Sequence, residues 1–120
     1  MNYELRYDDE AGAVYLKVIN MLTAKDVHEI MPASEEMFKD TDHYRVLIDA
    51  TVEPKGLLEK EARKAFRDYS VTMKILEKIA AFGTNHVTRI MTKMAAAALG
   101  KLSAVRFFKS IEEARSWLIE

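Results

Sequence analysis

The side chains most able to do chemistry in this 120-residue chain are few and scattered. The three histidines, His28, His43 and His86, have no second histidine at helical spacing, so a metal site would need ligands from distant segments. There is no cysteine, which removes thiolate nucleophiles, zinc-thiolate sites and disulfides. No serine lies in a Gly-x-Ser-x-Gly context and the four glycines are isolated, so neither a nucleophile elbow nor a phosphate loop is indicated. The sequence therefore predicts no catalytic residue, no metal and no cofactor.

One group of polar residues could still bind a ligand, at the loops that follow two predicted strands. Because the carboxyl ends of parallel strands meet at one edge of a sheet and face helix amino termini, we expect these loops to lie side by side. Amides at the start of the following helix offer donors for an anion. We expect a weak site for a polar or singly charged head group, formed by Asp49, Thr51, Thr84, Asn85, His86 and Arg89.

Hydrophobic spacing predicts the elements that would position these residues. Alternation over 3–7 and 13–19, around an acidic turn that ends in glycine, predicts a β-hairpin. Apolar runs at 44–50, 79–82 and 105–108 predict buried parallel strands. Spacings of three and four predict helices at about 24–39, at 58–77, before Gly100 and after Ser110. Thr23 and Asp26, three residues apart, predict a capping box at the start of the first helix. The order ββαβαβαβα predicts one α/β domain over residues 1–120, with a mostly parallel five-stranded sheet, an N-terminal hairpin and four helices.

Three features of these helices are specific enough to check. Pro32 lies inside the first helix and is expected to kink it or break it into two pieces. Residues 58–77 are expected to form the longest helix. The third helix is expected to leave Ala96 and Ala97 on a bare outer face, with an inward stripe of Val87, Ile90, Met91, Met94, Ala98 and Leu99.

Several strings in this element order carry a family resemblance. They are Val46-Leu47-Ile48-Asp49 at a strand end, Ile79-Ala80-Ala81-Phe82-Gly83 before a helix, and Val105-Arg106-Phe107-Phe108 followed by Ile111-Glu112-Glu113-Ala114-Arg115-Ser116-Trp117-Leu118. The chain resembles the SpoIIAA-like, or STAS-type, family, and its ending is similar to the uncharacterised branch. That branch is related in fold to anti-sigma-factor antagonists and to CRAL-TRIO domains. The resemblance implies the SpoIIAA-like fold over nearly the whole chain and says little about activity.

The resemblance also raises the question of a phosphoserine switch. The antagonists carry their regulatory phosphoserine in an Asp-Ser-Ser-Gly-like string at the start of the second long helix. Here residues 49–59 contain no serine, and Thr51 is the nearby hydroxyl, placed early in a strand-end loop. A turn threonine that bonds its own backbone is the simpler interpretation of Thr51. No phosphoserine switch is expected.

Charge is divided along the chain, although the formal net charge is -1. Residues 1–42 hold ten acids and four bases, whereas residues 78–111 hold six bases and no acid. Opposed acidic and basic surfaces favour a protein partner or self-association. The bases do not alternate with exposed aromatic residues, so no nucleic-acid partner is expected. A solvated surface is the plainer interpretation of the basic segment.

Two function hypotheses follow. The first is a non-enzymatic binding or regulatory module that acts by protein–protein docking, without the phosphoserine switch. The second is a small carrier or sensor of an apolar or amphipathic, lipid-like ligand, because methionines recur on the predicted inward stripes, although core packing also explains them: Met31, Met37, Met73, Met91 and Met94. The lack of cysteine, of a signal peptide and of a membrane span predicts a soluble protein of the cytoplasm.

Overall fold

The computed structural model describes residues 1–52 and 55–120. Within these residues the strands are β1 (Tyr3–Asp8), β2 (Ala13–Val18), β3 (Arg45–Asp49), β4 (Lys78–Phe82) and β5 (Val105–Phe108). The α-helices are α1 (Ala24–Phe38), α2 (Lys60–Phe66), α3 (His86–Ala98) and α4 (Ile111–Leu118). Short 3₁₀ helices occupy Arg67–Tyr69, Thr72–Ile75 and Leu102–Ala104.

The strands form a five-stranded sheet in the order β1-β2-β3-β4-β5. The β1–β2 pair is antiparallel and the pairs β2–β3, β3–β4 and β4–β5 are parallel. The register aligns Val14 with Val46, Val46 with Ile79, and Ile79 with Val105, so a row of β-branched side chains crosses the sheet. The predicted hairpin, the parallel strands and the α/β element order are confirmed.

The two faces of the sheet are covered unequally. Side chains alternate along β2, so Val14, Leu16 and Val18 join α1, α2 and α3 in one core, whereas Tyr15 joins α4 in a second core on the opposite face. Arg115 of α4 also donates two hydrogen bonds to the buried carboxylate of Asp8, at 2.9 and 3.0 Å. The larger core therefore lies between the sheet and three helices, and α4 alone closes the other side.

Helix α1 begins at the predicted capping box and continues through its proline. Thr23 Oγ1 accepts a hydrogen bond from the Asp26 amide, and the Asp26 carboxylate accepts one from the Thr23 amide. Pro32 lies within α1, so the expected break into two pieces is wrong. Pro32 and His28 are both exposed, and the His28 carbonyl that loses its donor can be satisfied by water.

The prediction of one long helix over 58–77 is also wrong. The α-helix ends at Phe66, and 3₁₀ turns follow, in which the amides of Ser70, Lys74 and Leu76 bond to the third residue before each. Ser70, Val71 and Thr72 have low helix propensity, which disfavours α-helix through this stretch. Most apolar side chains of this stretch are nevertheless buried, and Tyr69 is partly exposed. The buried ones are Leu58, Ala62, Ala65, Phe66, Met73 and Leu76.

Helix α3 has a different inward face from the one predicted. Thr88, Thr92 and Ala96 are buried, whereas Val87 and Ile90 are exposed, so the expected positions of Val87, Ile90 and Ala96 are wrong. Threonine can be buried here because its hydroxyl bonds within the helix: Thr92 Oγ1 donates to the Thr88 carbonyl at 2.8 Å. The helix is thus rotated by about one residue, roughly 100°.

Candidate functional site

The two loops expected to form a ligand site do meet at the carboxyl ends of β3 and β4. The Ala50 amide donates to the Phe82 carbonyl at 3.0 Å. Gly83 has a φ of 73°, and a Cβ atom built on it would lie 2.5 Å from Thr51 Cγ2 and 3.0 Å from Thr51 Cα. Both the left-handed backbone and this close approach require glycine at position 83.

Asp49 is the most completely bonded side chain of this region. It is 6% exposed, and one carboxylate oxygen accepts from the Thr51 amide at 2.9 Å and from Thr51 Oγ1 at 2.6 Å. The other oxygen accepts from the Tyr15 hydroxyl. Burial alone would raise the pKa of Asp49, but the hydrogen bonds from Thr51 and Tyr15 outweigh it and lower that pKa. Burial and the same bond to Asp49 raise the pKa of Tyr15. Asp49 is therefore a structural carboxylate that ties β2 to the β3 loop.

Some of the residues after β4 also form hydrogen bonds that stabilise the fold. Asn85 Oδ1 accepts from the Thr88 amide and the Asn85 amide donates to Thr88 Oγ1, both at 2.9 Å, which caps α3. Thr84 Oγ1 is buried and has no hydrogen-bond partner among the described residues. His86 is exposed, and Arg89 points toward β5, where its guanidinium carbon lies 4.9 Å from the Phe107 ring centroid. The loops therefore bring Asp49 and Thr51 beside the start of α3, whereas Arg89 lies away from them. Ligand binding at these loops stays a prediction.

The outer side of α3 carries an apolar surface that the sequence reasoning missed. Val87 is 48% exposed and Ile90 is 46% exposed, and Met94 follows on the same side of the helix. A groove of about 310 Å³ runs beside them toward α2, lined by Leu58, Glu59, Lys60, Arg63, Met91 and Met94. We call Val87, Ile90, Met94 and this groove the α3 surface. The spacing of Thr88, Thr92 and Ala96, small residues that end near Gly100, is the signal that could have identified it.

Basic side chains border the α3 surface on both sides. Lys60 and Arg63 lie along the groove, and Arg89 and Lys93 lie on the β5 side. The Lys93 ammonium is 5.9 Å from the centroid of the Phe107 ring. Within residues 1–52 and 55–120, none of these four cations makes a salt bridge. The surface therefore combines an apolar centre with cations that form no ion pair within the described residues.

The larger core contains an apolar cavity of about 90 Å³ between the sheet and helices α1 to α3. Ser34 and Thr92 are the polar side chains among its lining residues. Each hydroxyl donates to the carbonyl four residues earlier, at 2.8 Å, so neither has a free O–H to donate to a guest. Leu58 and Met91 line both this cavity and the groove of the α3 surface, and they separate the two spaces.

The described part of the chain holds no cluster of three or more metal-ligating side chains. No helix in residues 1–52 or 55–120 is long and apolar enough to cross a bilayer.

Comparison with known families supports the fold. The family model described as SpoIIAA-like matches residues 13–119, from β2 to the end of α4. The chain belongs to the SpoIIAA-like family. This confirms the resemblance inferred from the sequence. The SpoIIAA-like domain has none of the serines of the antagonist motif in residues 49–59, as noted above.

A solved structure shows the same architecture. It is an uncharacterised protein of the DUF3478 family, with a SpoIIAA-like fold, from Shewanella loihica PV-4. The TM-score is 0.70 at 20% sequence identity, over 97% of this chain and 91% of that chain. At this identity the likeness establishes the fold of the SpoIIAA-like domain and no more. No curated protein matches the chain.

Proposed function

We propose that this SpoIIAA-like domain is a non-enzymatic binding module that docks a protein partner through the α3 surface. The observation that carries the proposal is the orientation of α3, which buries two threonines and an alanine while it exposes Val87 and Ile90. Single exposed apolar residues are common, but here two of them join Met94 and an open groove. Burial of this surface against a partner would be favourable, because it would remove exposed apolar side chains from water.

The polar residues near the carboxyl ends of the strands support a non-enzymatic role. Asp49 is held by three hydrogen bonds, so it is poorly suited to act as a base, and Asn85 caps α3. The Thr51 hydroxyl is bonded to the Asp49 carboxylate, which would repel a phosphate at that position. Docking without a phosphoserine-type switch is the function that agrees with these contacts, and the absence of cysteine from the sequence supports a location in the cytoplasm.

Co-purification from the source cells tests the docking surface. The domain, its Ile90→Asp variant and its Ile119→Asp variant are compared by quantitative mass spectrometry of the captured proteins. Ile119 is the matched control because it is also exposed, at 58%, and lies at the end of α4 on the opposite face of the sheet. We expect one protein to be captured by the parent and by Ile119→Asp, and lost at least tenfold with Ile90→Asp. Identical captured sets for all three proteins would contradict the proposal.

The cavity supports a second candidate function, the uptake of a small apolar ligand. An engineered cavity of about 150 Å³ with comparable lining binds benzene. The cavity here is smaller, at about 90 Å³, so a larger guest would need Met31, Met73 or Met91 to move, which flexible thioether side chains permit. Its largely apolar lining fits a hydrocarbon group, and its two hydroxyls have no free donor for a polar one.

Filling the cavity tests this second candidate. Ala95 lines the cavity, whereas Ala97 on the same helix is exposed, so Ala95→Leu is compared with Ala97→Leu. Native mass spectrometry of protein purified from cells should show an added mass on the parent and on Ala97→Leu that is absent from Ala95→Leu. A bare mass for all three, with no change in melting temperature on adding short-chain fatty acids, would exclude uptake.

A further inference from the structure

The α3 surface also specifies the chemistry of what would cover it. Resting on the docking function proposed above, we infer that the partner segment is an amphipathic helix that carries carboxylates along both edges of its apolar stripe. The inference goes beyond docking as such, because it fixes the sign of the partner's charge and its secondary structure. It is carried by the cations that border an apolar centre on two sides.

The charges on the α3 surface are arranged to meet acids. Lys60 and Arg63 lie along one side of the apolar residues, and Arg89 and Lys93 along the other. Glu59 is the acid that lines the groove, so the groove itself carries a net positive charge. Arg89 and Lys93 are held over the Phe107 ring by cation–π contact rather than by an ion pair. Held in this way, they lose little conformational freedom when a carboxylate approaches.

The size of the apolar centre fits two turns of helix. Val87 and Met94 are seven residues apart on α3, which corresponds to about 10 Å along the helix axis. Helices that bind in grooves present apolar side chains at spacings of three, four and seven residues. A partner helix lying beside α3 would therefore place about three apolar side chains against Val87, Ile90 and the groove, with its acidic residues at the borders.

Helix α1 of a second copy does not offer such a segment. The acid-rich region of the chain includes α1, where the exposed positions Glu29 and Glu36 carry charge but the apolar side chains are already used in the core. The buried apolar residues of α1 are Val27, Ile30, Met31 and Phe38. Helix α1 thus has the charge but lacks an exposed apolar stripe, so α1 of a second copy does not fit the α3 surface.

The surface also fits a protein better than a nucleic acid. The Phe107 ring beside the surface is in cation–π contact with Arg89 and Lys93. A ring face covered in this way does not stack on a base, and base stacking is one of the sequence-tolerant contacts of single-stranded nucleic acids. The centre of the surface is aliphatic, which suits a helix face.

The test uses synthetic helices of known charge. The first is an amphipathic peptide of about 20 residues with leucines at spacings of three and four and glutamates on both flanks, long enough to form helix. The second replaces every glutamate with glutamine, and the third scrambles the order of the first. Binding is measured by fluorescence anisotropy against the parent domain and the double variant Arg63→Glu/Lys93→Glu, with Lys25→Glu on exposed α1 as the charge control. The milder pair Arg63→Gln/Lys93→Gln serves if the reversal disturbs folding.

We expect the glutamate peptide to bind at least about tenfold more tightly than the glutamine and scrambled peptides. The charge-reversed pair should raise its Kd about tenfold and Lys25→Glu should leave it unchanged. Equal binding of the glutamate and glutamine peptides, both lost with Ile90→Asp, would overturn the acidic partner while docking stands. Failure of all three peptides to bind would also overturn the acidic partner helix. The docking function would then be tested by the co-purification experiment alone. Tighter binding to phosphatidylglycerol vesicles or single-stranded RNA, weakened by the same reversals, would overturn the acidic partner helix in favour of that partner class.

Discussion

The carboxyl-end loops meet beside the start of α3, whose outer side forms the α3 surface, and the two regions differ in how many of their side chains are bonded within the fold. In the loops, Asp49 accepts three hydrogen bonds and Asn85 exchanges two with Thr88. On the α3 surface, Val87 and Ile90 stay about half exposed, and the bordering cations make no salt bridge with any described residue. The comparison teaches that polar residues typical of active sites can be fully engaged in hydrogen bonds that hold the fold together. Apolar residues typical of a core can instead stay exposed and available to a partner.

The largest expected effect is the loss of stability on removing the Asp49 carboxylate. Asp49→Ala leaves the Tyr15 hydroxyl buried without its acceptor and should lower the free energy of unfolding by about 3 kcal/mol in urea denaturation. Asp49→Asn, which keeps one acceptor oxygen, should lose less. Partner capture through the α3 surface should be unchanged for both variants well below their melting temperatures. A loss under about 0.5 kcal/mol for Asp49→Ala would mean that these bonds are not structural.

The close approach of the two loops can be separated from backbone strain by comparing two glycines. Gly83 and Gly100 have nearly equal φ values, 73° and 74°, but an added Cβ meets Thr51 at 2.5 Å in the first case and nothing within 4 Å in the second. Both alanine variants lose about 1 kcal/mol to the left-handed backbone. Gly83→Ala should lose about 2 kcal/mol more, measured by thermal unfolding. Equal losses would show that the loops can separate without cost.

A smaller effect is expected from the cap of α3. Asn85→Ala removes the acceptor for the Thr88 amide and should cost about 1 kcal/mol. His86→Ala, at the exposed neighbour, should change stability by less than about 0.5 kcal/mol. The predicted head-group site at Thr84, Asn85 and His86 is therefore best tested with His86→Ala, since lost ligand affinity in that variant cannot be attributed to the cap. Unaltered affinity in a titration calorimeter would place any ligand elsewhere.

The smallest effect is a pH dependence that reports on Asp49. Because the pKa of Asp49 is lowered in the fold, its charged form stabilises the protein at pH above the ordinary carboxyl pKa of about 4. That stabilisation is lost as the pH falls through the lowered pKa. The difference in unfolding free energy between the parent and Asp49→Asn should therefore be constant near pH 7 and should shrink below pH about 4. A difference that grows with acidity would contradict the assignment.

Local sequence patterns were sufficient to predict much of the fold. The strands of the sheet could be predicted from the alternation of Val14, Leu16 and Val18 and from the apolar runs of β3 and β4. A strand buried on one face alternates apolar and polar residues, and a strand buried on both faces is apolar throughout. The Thr23–Asp26 capping box depends on residues three apart and was equally readable. Contacts between neighbours in the chain were therefore predictable.

Contacts between distant residues account for what the sequence did not reveal. Tyr15 and Asp49 lie 34 residues apart, so the bond that engages the carboxylate could not be inferred from either residue alone. Which side of α3 packs on the core depends on whether the hydroxyls of Thr88 and Thr92 form hydrogen bonds within the helix. A prediction based only on the positions of apolar residues does not take these bonds into account. The meeting of the two loops followed from topology, whereas the α3 surface required the rotation of the helix to be known.

The most direct measurement of the central claim is a two-dimensional amide NMR titration of the domain with the glutamate peptide. The account predicts that the largest shift changes fall on Val87, Ile90, Met94 and Arg63, with little change at Thr51, Thr84 and Asn85. The largest changes at the carboxyl-end loops, or none on α3 at saturating peptide, would contradict docking through the α3 surface.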